Sequence, residues 1–126
     1  MRRAAAYARG VLVDVGCGKK PFVALFQPRV TTYVGLDYPE TCIPLGGTRA
    51  EVFGTASQLP LRSSTADTVL LTEVLEHVAE PLVVLSELHR VLKPGGVLLL
   101  TAPMSSTHSK ASSRTCANTY WYVPTR

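Results

Sequence analysis

Apolar residues fall along this chain in short unbroken runs, set apart by glycine, proline and polar turns. Val11-Leu12-Val13-Asp14-Val15 is a β-branched and aliphatic run closed by Gly16. A continuous run of this kind, rather than strict alternation, suits a strand covered by helices on both faces. Ahead of it, Ala4 to Ala8 reads as the tail of a helix stopped by Gly10. Beyond the glycines, Pro21 suits the first turn of a short helix with Phe22, Leu25 and Phe26 on one side, and Pro28 ends it. Tyr33-Val34-Gly35-Leu36-Asp37 predicts a second strand closed by Tyr38-Pro39. A turn-rich stretch from Pro44 to Thr48 leads to a short third strand around Ala50 to Phe53, and Asp67 to Thr72 predicts a fourth. Glu80 to Leu92 carries Leu82, Val83, Leu85, Leu88, Val91 and Leu92 at the helical period, with a strong stop at Lys93-Pro94-Gly95-Gly96. Val97 to Thr101 is the fifth strand.

Strands alternating with helices or loops imply right-handed crossovers, hence an α/β fold with a doubly wound parallel sheet. After Ala102 the pattern collapses. Met104 to Thr119 is rich in Ser and Thr without an apolar period, and Tyr120-Trp121-Tyr122-Val123 is short. Residues 1–103 are therefore expected to form the α/β domain, and 104–126 a polar, poorly ordered tail.

Composition narrows the class without changing it. At 126 residues, 46% hydrophobic and 17% charged, the chain is expected to be one compact soluble domain. Its formal charge of +4 comes from scattered Lys and Arg with no dense run among aromatics, so a nucleic-acid partner is not indicated. Cys17, Cys42 and Cys116 are odd in number, far apart and without CxxC spacing. They argue against a disulfide framework or zinc cluster and for a reducing compartment, so a cytoplasmic location is expected. No run approaches a membrane span, and no membrane partner is expected.

The chemistry starts at the first glycine turn. A strand feeding Gly16-Cys17-Gly18 and then a helix lets the backbone approach a ligand, with exposed N–H groups favouring a polar or anionic group. Lys19-Lys20-Pro21 follows, so the G-x-G-x-x-G dinucleotide fingerprint is broken, and the Lys-Ser/Thr pair of a phosphate-binding Walker loop is missing. Asp37, at the end of the second strand, is placed to accept hydrogen bonds from ribose hydroxyls; the simpler role is a strand-end turn before Tyr38-Pro39.

Taken together, Val-Asp-Val-Gly-Cys-Gly, Tyr-Val-Gly-Leu-Asp, Leu59-Pro60, Ala66-Asp67, Glu73-Val74-Leu75-Glu76-His77-Val78 and Arg90-Val91-Leu92-Lys93-Pro94-Gly95-Gly96 resemble the class I S-adenosylmethionine-dependent methyltransferases, from about Gly10 to Pro103. The resemblance implies a Rossmann-like fold, S-adenosyl-L-methionine as cofactor, and methyl transfer to an acceptor the sequence does not identify. It implies that Gly16, Cys17 and Gly18 line the methionine end, that Asp14 helps hold the loop and the amino group, that Asp37 takes the ribose hydroxyls, and that Tyr38 sits beside the adenine. Thr72 and Glu73 would face cofactor and acceptor. The family often has a third glycine where Lys20 stands, and an acid near the adenine where Thr55-Ala56-Ser57 occurs, leaving a hydroxyl and backbone N–H groups for that role.

On a helix, Glu73, Glu76 and His77 would fall at i, i+3 and i+4 and share a face. The trio is similar to metal ligands in some catechol-type quinone O-methyltransferases and small-RNA 2′-O-methyltransferases of this fold. The simpler reading, which is favoured, is that no metal binds and that Glu76 and His77 are helix-start residues bonding a neighbouring loop. His77 is then a candidate general base. His89 reads as a surface histidine. The family fold continues past its fifth strand, so the chain is expected to be truncated, lacking the C-terminal antiparallel strands and leaving the fifth strand a bare edge. Two alternatives stand beside methyl transfer: a catalytically inactive binding module of the same fold, and another nucleotide-binding α/β domain. The oligomeric state is not legible.

Overall fold

The computed structural model of the chain describes residues 1–42, 46–103 and 118–124. Six strands make one sheet: β1 (Val11–Val15), β2 (Thr32–Asp37), β3 (Val52–Phe53), β4 (Ala66–Thr72), β5 (Leu92–Pro103) and β6 (Asn118–Pro124). Their order is β3-β2-β1-β4-β5-β6, with the first five parallel and β6 antiparallel to β5. The winding therefore reverses between β1 and β4. Loops leaving the C-terminal ends of these two neighbours diverge to opposite faces, and that divergence opens a crevice above the sheet.

Helices cover both faces, as the unbroken apolar runs require. Successive strand residues point to opposite sides. Val13, Val15, Leu36, Val69, Leu71 and Leu98 pack with Val84, Leu88 and Val91 of α4 (Pro81–Val91). Leu12, Leu70, Val97 and Leu99 pack on the other side with Ala5 of α1 (Arg2–Ala5) and Phe26 of α2 (Val23–Phe26). Pro28 sits inside a 3-10 turn, Gln27–Arg29, that closes α2. A further single-turn helix, α3 (Pro39–Cys42), follows β2.

The helix expected over 80–92 ends one residue early, because Leu92 leaves it with extended dihedrals and pairs with Ala66. Lys93-Pro94-Gly95-Gly96 is a turn within the bounds of β5: it bulges out between the pairs Ala66↔Leu92 and Thr68↔Val97, with Gly95 at φ +76°. Asp67 fastens the bulge. Its carboxylate accepts the Val11 N–H at 2.8 Å and lies 3.0 Å from the Lys93 ammonium, and a Cβ on Gly10 would stand 2.3 Å from its Oδ2. Thr68 donates to the Arg9 carbonyl at 2.8 Å and accepts the Arg9 N–H at 3.0 Å. The N-terminal end of the sheet is thereby clamped.

One expectation is corrected. The chain does carry an antiparallel strand: β6 pairs with β5 from Val97↔Pro124 to Pro103↔Asn118, so the fifth strand is not a bare edge and 118–124 is not a featureless tail. The unpaired N–H and C=O groups of a parallel edge favour such an addition. Residues 104–117, with His108 and Cys116, and residues 43–45 lie outside the described residues. Among the described residues no helix is long and apolar enough to cross a membrane.

Candidate functional site

β1 delivers the chain to the crevice and turns there on two glycines. Gly16 has φ +73°, and a Cβ at this position would lie 2.5 Å from Cγ2 of Val74, which packs over it from the segment after β4. A side chain is excluded by both conformation and space. The N–H groups of Gly16 and Cys17 donate to the Leu36 carbonyl at 2.8 and 3.1 Å, tying the turn to β2. Gly18, at φ +50°, has open space where a Cβ would project. Cys17 is buried, and burial pushes its thiol up to about 11, so it stays protonated and is not a nucleophile.

Asp37 ends β2 and is the hinge of the site. Its Oδ2 accepts the Gly18 N–H at 3.1 Å and its Oδ1 accepts the Tyr38 N–H at 2.9 Å. The residue is 7% exposed. Its carbonyl accepts the Gly54 N–H at 3.0 Å, which draws the turn after β3 against it. In that turn the Thr55 and Ser57 hydroxyls lie 3.2 Å apart, Ala56 packs on the core, and the Gln58 N–H returns to the Thr55 carbonyl. The second glycine, Asp37 and Thr55-Ala56-Ser57 are thus adjacent. Tyr38 is half-buried beside them.

Asp14, 1% exposed, is the charged group within β1. Its Oδ2 accepts the Tyr33 hydroxyl at 2.5 Å, while its buried Oδ1 has no hydrogen-bond partner. Burial raises its carboxyl from 3.8 to about 6, against the lowering effects of the Tyr33 hydrogen bond and the Lys20 charge.

The segment after β4 departs from expectation. Glu73 has φ +55°, a left-handed conformation incompatible with a helix, and Leu75–His77 is a single 3-10 turn. The helical face that would group Glu73, Glu76 and His77 does not exist, and all three are exposed. The physical reason is local: Thr101, buried on β5, accepts the Glu73 N–H through its hydroxyl at 3.2 Å, and the true helix waits for Pro81 at its first turn. Among the described residues no group of three His, Cys, Asp or Glu is arranged to hold a metal ion. Thr72, half-buried, ends β4 beside the crevice.

Several supporting residues escaped the sequence reading. Tyr33 bonds Asp14. Thr48 donates to the Gly18 carbonyl at 3.0 Å, which also accepts the Arg49 N–H at 2.8 Å. Lys20 is left-handed at φ +56°, the conformation glycine favours, and its side chain folds back to pair with Glu51. Only the left-handed Lys20 had a signal: it stands where the resemblance expects a glycine.

The arrangement is an α/β sheet with a glycine turn and a buried acid on adjacent strand ends at the switch point. The family described as "Methyltransferase domain" matches residues 13–100. This chain belongs to that family. The methyltransferase domain is 35% identical over 96 residues to the ubiquinone biosynthesis O-methyltransferase of Dinoroseobacter shibae, covering 70% of this chain and 39% of that protein. It is 31% identical over 102 residues to a Mycolicibacterium smegmatis protein named "Probable S-adenosylmethionine-dependent methyltransferase", covering 78% of this chain and 40% of that one. A crystal structure from Bacillus halodurans matches with a TM-score of 0.69 at 27% identity, over 84% of this chain and 50% of that one. The chain therefore spans about 40% of the length of these two sequence relatives. S-adenosyl-L-methionine is the cofactor that the family and fold of this methyltransferase domain imply. Two features fit that molecule: the open space at Gly18, which a Cβ would occupy, and the buried Asp14 oxygen that lacks a donor.

Proposed function

We propose that this chain binds S-adenosyl-L-methionine along the C-terminal ends of β1, β2 and β4 and forms the donor side of a methyltransferase. The observation that carries the reading is Asp37. A buried carboxylate that accepts one N–H on each oxygen still has acceptor capacity on both, and a vicinal diol uses two such acceptors. Gly16, Cys17 and Gly18 wall the methionine end, Asp14 faces the amino group, Tyr38 flanks the adenine, and Thr55, Ala56 and Ser57 rim it. Thr72 and Glu73 stand between donor and acceptor.

When bound, the sulfonium supplies an electrophilic methyl group. The chain's part is alignment: fixed backbone at Gly16 and Gly18 and a fixed acid at Asp37 hold one orientation, as an in-line displacement needs. Relatives named as O-methyltransferases support an oxygen acceptor. His77, exposed in the turn after β4, is the candidate base that takes its proton. Three cysteines, odd in number, far apart in sequence and without CxxC spacing, favour a cytoplasmic setting.

Calorimetric titration with S-adenosylhomocysteine tests the binding claim. Saturable heat is expected, and none at millimolar ligand refutes it. Asp37→Ala should weaken affinity by about 1–3 kcal/mol, the cost of unpaired buried polar groups; an unchanged affinity in a folded variant removes the ribose role. Donor binding without transfer to any hydroxyl acceptor would favour the inactive binding module instead.

A further inference from the structure

The stripe of α4 that meets the sheet is apolar, yet Glu87 and Arg90 of the same helix hold a loop of backbone. Glu87 Oε1 accepts the Leu59 N–H at 2.8 Å. Arg90 donates from Nε and from one terminal nitrogen to the two Glu87 oxygens, at 2.8 and 2.6 Å. Its other N–H groups go to the Leu59 carbonyl at 3.2 Å, the Leu61 carbonyl at 2.9 Å and the Ser63 hydroxyl at 3.3 Å. A guanidinium has five N–H donors, and here each meets an acceptor. An exposed ion pair at this helical spacing contributes little on its own. This pair differs because its bonds end on the backbone of another segment.

That segment runs on directly from Thr55-Ala56-Ser57. Leu59 is buried, and Pro60 lies so close over Gly54 that a Cβ there would stand 2.6 Å from the proline Cδ. The Gly54 N–H in turn donates to the Asp37 carbonyl at 3.0 Å. The turn at 55–57 is therefore fastened on both sides, to Asp37 through Gly54 and to α4 through Leu59. Resting on the donor-binding reading above, we propose that Glu87 and Arg90 are positioning residues that fix this turn at the distance from Asp37 that an adenine base requires. They act through Leu59 and Pro60, not by contact with the donor. Reading a base edge with hydroxyls and backbone groups needs placement within about 0.5 Å. Lysine at position 90 would keep the charge but offers its donors from a single point, so it cannot span two carbonyls and a carboxylate together.

The test measures two ligands by calorimetry: S-adenosylhomocysteine and S-inosylhomocysteine, in which a carbonyl replaces the exocyclic amine of the base. The parent should prefer the adenine ligand. In Arg90→Lys that preference should fall about two- to tenfold, the worth of one ordinary hydrogen bond, through weaker binding of the adenine ligand alone. Glu87→Gln keeps an acceptor for the Leu59 N–H and loses the charge, so its preference should also fall, but less than in Glu87→Ala. A merely structural role would weaken both ligands in proportion and leave their ratio unmoved. Equal affinities in the parent, or an unchanged ratio in folded Arg90→Lys, overturn the inference while leaving donor binding intact. Should that variant not fold, the same ratio in Glu87→Gln decides. Failure of both ligands to bind the parent overturns the donor-binding reading itself.

Discussion

Gly16→Ala isolates what the glycine turn requires. Two separate effects oppose the added methyl. At φ +73° an alanine sits in the left-handed region, which costs about 1–2 kcal/mol relative to glycine. Its Cβ would also lie 2.5 Å from Cγ2 of Val74, an overlap that typically costs about 1–3 kcal/mol once neighbours shift. The expected loss is therefore about 2–5 kcal/mol, a large share of the stability of an ordinary domain. Urea unfolding followed by circular dichroism measures it, with an unchanged m-value showing that two-state unfolding is kept. The same substitution in a Val74→Ala background separates the terms. There the overlap is relieved, and Gly16→Ala should cost only the conformational part, about 1–2 kcal/mol. A single variant within about 0.5 kcal/mol of the parent would refute the reasoning. Equal costs in both backgrounds would refute the claim that Val74 closes the turn.

Stability and pH give a second check, through Asp14. Its folded value, about 6, lies above the unfolded 3.8, so the folded state holds its proton more tightly. Stability from this group is present below about pH 4 and is lost as pH rises through 6, in all about 3 kcal/mol. Glu51, Asp67 and Glu87, all held below their ordinary values by hydrogen bonds and cations, act in the opposite sense and lose stability as pH falls through the acid range. Asp14→Asn cancels only the first effect, and chemical denaturation of parent and variant at pH 4 and 7 should reveal it as a difference of slopes; identical slopes would exclude it. Thr101→Val replaces the buried acceptor of the Glu73 N–H with a methyl of similar shape. A loss of about 1–2 kcal/mol in thermal unfolding is expected, and no loss would mean that Glu73 is held by other contacts.

The central strands β1 and β4 were readable because they lie under helices on both sides. Val11 to Val15, Asp14 apart, and Val69 to Leu71 are apolar for that reason, and a burial pattern is local information. β6 was not readable, since its existence depends on an edge more than ten residues upstream and on no periodicity of its own. The same division runs through the site. Gly16, Gly18 and Asp37 announce themselves by where a strand stops and turns. The bonds of Tyr33 to Asp14, Thr48 to Gly18 and Thr101 to Glu73 join residues 19, 30 and 28 positions apart, which no local pattern encodes. The helical spacing of Glu73 to His77 failed because a single left-handed residue breaks the period before the helix begins.

The clamp at the N-terminal end of the sheet has a consequence for how such a domain can be altered. Asp67, Lys93, Val11 and the Arg9–Thr68 pair join β1, β4 and β5 on the side away from the crevice. The rigid scaffold is thus fastened at one end and its chemistry displayed at the other. Loops at the open end can be lengthened, exchanged or redrawn for a different acceptor while the fastening stays whole. A designer grafting new specificity onto this sheet would leave the residues around Asp67 alone and work on the far rim.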